Sequence, residues 1–182
     1  IRMVCEELGT TFIKFAQIAS NRPDLLPDEL IQEFEKLQDH APEVPIKEIR
    51  KVIDEETSRP LNELLEYFNP IPLASASMSQ VHRARLKGGK EVVLKVQRPN
   101  IDKVISSDIS LLYSIVSIIE KYLPRYTVYR PRELVLMFEK SISEELNFRL
   151  EVNNLIHFQA MFKHNNGVYI PSVYPELSTD KI

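Results

Sequence analysis

One cysteine, Cys5, in 182 residues excludes an internal disulfide and fits a reducing compartment. As a small hydrophobe it is expected in a core. The opening residues carry no signal-peptide pattern. The most apolar run, 109–119, is interrupted by serines and falls far short of the ~20 residues that cross a bilayer. No basic stripe with interleaved aromatics occurs, and a formal charge of -3 with pI near 5.9 gives no electrostatic case for nucleic acid. Internal repeats and low-complexity segments are absent as well. A chain of this length suffices for one full core, or for a small lobe with appended helices. Ile1 in place of Met, and 178–182 reading as a turn into another element, make part of a longer protein the expectation.

What is present before Pro70 is helical. Leu8, Phe12, Phe15 and Ala19 recur at helical spacing over 2–21, and Asn21-Arg22-Pro23 stops the pattern. Thr10, Lys14, Gln17 and Asn21 form a polar stripe roughly opposite, either a solvated face or a place where Lys14 and Gln17 present a cation and an amide to a partner. Pro27, Asp28 and Glu29 open a second short helix with apolar Leu30, Ile31, Phe34 and Leu37. Pro42 and Pro45 break it. A third helix with Ile46, Ile49, Val52 and Ile53 ends near Ser58-Arg59-Pro60, and a short helical piece, 61–68, leads to Asn69-Pro70.

Residues 72–99, P-L-A-S-A-S-M-S-Q-V-H-R-A-R-L-K-G-G-K-E-V-V-L-K-V-Q-R-P, organise the rest. They read as a hairpin with a two-residue turn at Gly88-Gly89, glycines tolerating positive φ. Alternation puts Val92, Leu94 and Val96 on one face of the second strand and Val93, Lys95 and Gln97 on the other. Set against the kinase pattern G-x-G-x-x-G-x-V followed by V-A-I-K, Ala74, Ala76 and Ser79 fall at the glycines, Val81 at the valine and 92–95 at V-A-I-K. The default for a strand lysine is an exposed face, since burying one without a partner is costly; the matched loop upstream argues for a cleft. A helix over 102–122 is apolar on much of its circumference and needs cover, from a further part of the protein first and a membrane surface second. One long helix over 132–163, capped by Asn165-Asn166-Gly167, precedes an expected strand, 167–174.

The chain resembles the UbiB family of atypical kinase-like proteins (AarF-type). Its K-x-G-Q signature stands as Lys14-Phe15-Ala16-Gln17 and is followed by R-P-D-L-L-P; its alanine-rich loop stands as A-S-A-S-M-S-Q-V-H. The strand lysine lies in V-L-K-V-Q-R-P, and the E-x-D segment appears as Glu145-Leu146-Asn147, followed by Phe148-Arg149-Leu150-Glu151. Three departures stand out: Ala16 for glycine affects helix packing, Asn147 for aspartate removes a carboxylate, and Val93 for alanine crowds an adenine ring.

The resemblance implies an α+β, protein-kinase-like small lobe, an antiparallel sheet plus a long C-type helix, truncated before the large lobe. Residues 1–69 would be an N-terminal helical extension and 70–182 the lobe. It implies that Lys95 contacts the α/β-phosphates of ATP and pairs with Glu151, under the loop Ala74, Ser75, Ala76, Ser77 and Ser79, with Val81 and Val93 beside the nucleotide. Glu151 read alone is an ordinary surface glutamate, and Glu145 has a simple i,i+4 partner in Arg149. By resemblance, Glu145 and Asn147 instead face the helix of Lys14 and Gln17, which acts as a built-in lid. The catalytic aspartate-asparagine pair and a magnesium-binding aspartate do not occur after Gly167, so catalytic and metal residues are expected outside this chain. The expected function is the nucleotide-binding, regulatory part of an atypical kinase or ATPase, using ATP with Mg²⁺, in ubiquinone or related isoprenoid-quinone biosynthesis. The alternative is a pseudokinase-like nucleotide or lipid-binding module without phosphoryl transfer. Membrane lipid, quinone precursors and biosynthetic enzymes are the expected partners, at a cytoplasmic site peripheral to a membrane and held there through parts outside this chain.

Overall fold

The computed structural model describes residues 2–37, 41–57 and 59–182. Along the chain these form α1 (Arg2–Leu8), α2 (Thr10–Ser20), α3 (Asp28–Phe34), α4 (Ile46–Thr57), α5 (Leu61–Leu64), β1 (Leu65–Ser75), β2 (Ser79–Leu86) and β3 (Glu91–Gln97). Then come α6 (Ile101–Tyr122), α7 (Pro131–Glu145) and α8 (Phe148–Met161), with 3-10 turns at Pro124–Tyr129 and Pro175–Leu177. The strands make one antiparallel sheet in the order β1-β2-β3. Pro70 and Pro72 are tolerated because β1 is an edge strand, with a free side for residues that lack an N–H.

The chain divides into two compact units that alternate in sequence. One comprises α1 to α3, Ser75–Met78 and Asn100–Ile142; the other comprises Glu43–Ala74, Ser79–Pro99 and Ser143–Ile182. The division groups α4 and α5 with the sheet, whereas a linear boundary at 69/70 follows chain order.

In the sheet-bearing unit, α4 turns Ile49, Val52 and Ile53 inward against Leu61, Leu65, Phe68, Ala84, Val96 and Ile182. Burying each of the larger aliphatic side chains contributes about 1.5–3 kcal/mol. Val92 and Leu94 pack on the same cluster, so the Val92/Leu94/Val96 face of β3 is the core face. In the helical unit, α2 buries Phe12, Ala16 and Ala19, and α7 buries Leu134, Val135, Phe138 and Ile142. Phe15 meets Phe138 edge-on at 5.3 Å between centroids. Ala16 is fully buried, so the helix packs closely with a methyl group where the family signature has glycine. Cys5 is buried, and that burial pushes its thiol pKa up.

Several elements differ from expectation, each for a local reason. The helix expected over 2–21 is two helices, because Gly9 at φ 100 takes a left-handed backbone between them. The helical piece expected to reach Phe68 stops at Leu64, since pairing with β2 draws the following residues into β1. The hairpin loop has three residues: Leu86 N–H donates to Lys90 O at 2.9 Å and Gly89 N–H to Leu86 O at 3.0 Å, with Gly88 and Gly89 at positive φ. The long helix expected over 132–163 breaks at Leu146-Asn147, where Asn147 caps α8 by accepting from the Leu150 N–H at 3.3 Å. Phe162 is the C-cap of α8, and Gly167 lacks the positive φ expected of a capping glycine. Residues 168–174 are irregular and not a strand: they gain no sheet partner, and Pro171 O accepts from Gln159 Nε2 at 2.6 Å. Ser58, at the expected end of the third helix, lies outside the described residues.

Candidate functional site

Cross-strand register separates the two faces of the hairpin. Gln80, His82 and Ala84 stand opposite Val96, Leu94 and Val92; Ser79, Val81 and Arg83 stand opposite Gln97, Lys95 and Val93. Lys95 therefore shares the face away from the α4 core with half-buried Val81 and exposed Val93. On that face Lys95 Nζ donates to Glu151 Oε2 at 2.6 Å. Glu151 belongs to the first turn of α8, where the helix dipole favours a negative charge. The ammonium also lies 4.6 Å from the centroid of the Phe148 ring. With side chains 38% and 49% exposed, such a pair contributes at most about 1 kcal/mol to folding. Its main effect is directional, fixing where the ammonium points. Glu151 also lines an open cleft of about 400 Å³ with Glu144, Glu145, Leu150 and Asn154.

The connection ahead of β2 is short. Ala74 and Ser75 end β1, Ser79 begins β2, and between them Ser77 and Met78 are almost completely buried. Ser75 Oγ donates to Pro42 O at 3.3 Å. Among the described residues the non-glycine positions with positive φ are Asn100 and Arg130. Alanine and serine at 74–79 are therefore unstrained, although a conventional kinase loop places glycines in this register.

Lys14 and Gln17 lie one turn apart on α2, both half-buried, so their stripe is not a fully solvated face. Gln17 Nε2 donates to Leu37 O at 3.1 Å, which ties α2 to the residue beyond α3. Glu145 is the last residue of α7. Arg149, the i,i+4 neighbour that Glu145 would have on an unbroken helix, donates from Nε to Asp180 Oδ1 at 3.1 Å, and the helix breaks between positions 145 and 149.

Two residues that the sequence did not single out position Glu151. Gln97, only 2% exposed, donates from Nε2 to the carbonyls of Leu146 and Asp180. Its backbone N–H donates to Lys181 O at 2.9 Å. It thereby ties the end of β3 to the α7–α8 break. The available signal was a glutamine two positions beyond Lys95, on the same strand face. Phe148, the first residue of α8, supplies the ring beside the lysine. Replacing the cap, Asn147→Ala, is expected to lower unfolding free energy by about 1 kcal/mol, while Asn147→Asp retains stability because aspartate caps equally well. Urea denaturation of the three proteins measures this, and equal midpoints for wild type and Asn147→Ala would remove the cap from the account.

Comparison with known proteins follows the same lines. A family model described as the ABC1 atypical kinase-like domain matches residues 36–182. A Marinobacter nauticus protein named probable protein kinase UbiB is 39% identical over 173 residues, covering 95% of this chain and 32% of that protein. A Pseudomonas paraeruginosa protein of the same name is 39% identical over 182 residues, covering 100% of this chain and 34% of its own length. The chain thus spans a third of the length of these curated relatives. The solved structure of Rv3197 from Mycobacterium tuberculosis, in complex with erythromycin, matches with a TM-score of 0.63 and 29% identity over 91% of this chain and 41% of that one. A kinase-like α+β fold, the four motifs in order and the match over 36–182 agree: the chain belongs to the ABC1 atypical kinase-like family, which includes the UbiB proteins.

Proposed function

We propose that this chain is the nucleotide-binding and regulatory part of an atypical kinase or ATPase that supports ubiquinone or related isoprenoid-quinone biosynthesis at a membrane. The observation that carries the reading is the Lys95–Glu151 hydrogen bond of 2.6 Å on the open face of the hairpin. A fixed ammonium beside apolar Val81 suits the α/β-phosphates of a nucleotide, with Val93 narrowing the space for its adenine ring. Ala74, Ser75, Ala76, Ser77 and Ser79 belong to the nucleotide-binding set. Lys14, Gln17, Glu145 and Asn147 act as the regulatory set, Asn147 through the start of α8.

Among the described residues no group of three or more His, Cys, Asp or Glu side chains is placed to hold a metal ion. ATP fits the residues present through its phosphates, and the groups that hold Mg²⁺ belong to the remainder of the protein. Bound MgATP would supply the transferable phosphoryl group, and Lys95 would bind and orient its phosphates.

The test uses protein extended to the length of the curated relatives. At a hundredfold excess over Kd, a ligand specific to the folded state stabilises by about 2.7 kcal/mol, so MgATP should raise Tm measurably in wild type and by clearly less in Lys95→Ala. Turnover of ATP is expected in the extended protein and not in the 182-residue chain. Absence of any MgATP-dependent shift overturns the proposal, and a shift without turnover favours the pseudokinase-like module.

A further inference from the structure

Within β1 the chain reads N-P-I-P at 69–72, and this stretch is stiff before any tertiary contact forms. The rings of Pro70 and Pro72 fix φ, and Asn69 and Ile71, each preceding a proline, are held to extended backbone. The same residues give the sheet few donors. Neither proline has an N–H, and the Ile71 N–H donates within the strand to Asn69 Oδ1 at 3.1 Å. A stiff segment lightly held along its length takes its direction from the point where it is pinned.

That point is His82 on β2. Its ring is 1% exposed and stands on the core face, opposite Leu94, stacked on Phe68 at 5.0 Å between centroids. Nδ1 lies 2.9 Å from Asn69 O. A carbonyl oxygen only accepts, so Nδ1 carries the proton and donates. Nε2 is buried and meets no hydrogen-bond partner among the described residues. An orphaned ring nitrogen in a core is a cost that leucine at the same place would avoid. What histidine adds, and leucine lacks, is the donor to Asn69. Both oxygens of Asn69 are thereby engaged, where the stiff segment begins. Just past its end stand Leu73 and Ala74, the last residues of the sheet-bearing unit before Ser75.

We propose that His82 is a positioning residue for nucleotide binding. By donating to Asn69 O it pins the start of the 69–72 segment, and the segment carries that direction to Leu73 and to Ala74 of the nucleotide-binding set. The consequence for ligand rests on the nucleotide reading; the pin itself does not, and the two are tested apart.

Amide hydrogen exchange on the 182-residue chain tests the pin without ligand. His82→Leu removes the donor and keeps apolar bulk, whereas His82→Asn loses bulk and keeps an N–H near the place of Nδ1. Exchange at Leu73 and Ala74 is read relative to the Val92 and Val96 amides of β3. In His82→Leu it should quicken by roughly two- to tenfold, the range that one neutral hydrogen bond controls. In His82→Asn it should stay near native. An ordinary core residue gives the opposite order, because leucine is the more stabilising occupant of an apolar site. In protein extended to the length of the curated relatives, MgATP affinity by isothermal titration should fall by a similar factor in His82→Leu and recover in His82→Asn. Native exchange at Leu73 and Ala74 in His82→Leu overturns the proposal, as does exchange that quickens equally throughout the sheet. Quickened exchange with native MgATP affinity overturns it too. Should His82→Asn not fold, His82→Leu decides alone by the same measures. If the extended wild type binds no MgATP while exchange responds as stated, the nucleotide reading falls and the pin on Leu73 and Ala74 stands.

Discussion

Lys95→Ala is expected to lower ATP affinity of the extended protein by roughly ten- to a hundredfold, the loss of a charge-assisted contact to phosphate worth about 1.5–3 kcal/mol. Glu151→Ala should lower it by a smaller factor. Glu151 sits 2.6 Å from Lys95 and acts by directing it, so the double variant should be little worse than Lys95→Ala alone. Coupling of about 0.5–3 kcal/mol between the two is the expected signature. Unfolding free energy serves as the control, because a pair this exposed changes it by at most about 1 kcal/mol. Isothermal titration of the four proteins measures the cycle. Additive losses would mean that Glu151 does not direct Lys95, and that another acid of the same cleft, Glu144 or Glu145, serves it.

Gln97→Ala should be the most destabilising change near the site. The side chain is buried and donates to two carbonyls, Leu146 O and Asp180 O. Its removal leaves Leu146 O without that donor, at about 1–3 kcal/mol for a buried unsatisfied group, while Asp180 O keeps the Phe148 N–H at 3.0 Å. The urea midpoint should fall with an unchanged slope. Gln97→Glu should be at least as harmful, since a carboxylate would face two carbonyl oxygens. Nucleotide affinity should fall as well, although Gln97 is placed to touch no ligand, because Leu146 immediately precedes the cap that starts Glu151's helix. A midpoint shift below about 1 kcal/mol would show that the break holds without the glutamine.

The parts of this fold legible in the sequence were those fixed by periodicity within one element. The α4 stripe of Ile49, Val52 and Ile53, and the alternation of Val92, Leu94 and Val96, lie where the pattern put them. Breaks without proline were not legible. Gly9 and Asn147 both interrupt apolar helical patterns, the first by backbone conformation and the second by side-chain capping. Both residue types also occur inside helices, so periodicity alone does not reveal the stop. Leu65 to Phe68 carry a pattern compatible with a helix, and their pairing with β2 decides for strand. Val168, Tyr169 and Ile170 have strand propensity and no neighbouring strand, so propensity is overridden. At the site, Lys95 and Glu151 were suggested by motif, not by any local chemistry. Gln97 stood on the Lys95 face of its strand, but its acceptors are 49 and 83 positions away in sequence.

The connection at 74–79 differs from a glycine loop in how its sequence is free to drift. With no left-handed backbone there, an L-amino acid of suitable size meets no conformational barrier, and Ser77 and Met78 are constrained by the volume around them. A glycine at 74 or 76 would gain no accessible native conformation that alanine lacks, and would widen the unfolded ensemble at a cost of about 0.4–1 kcal/mol. Exchange between alanine and serine is inexpensive, and at the buried positions Ser77 and Ser79 larger residues are excluded by crowding before strain arises.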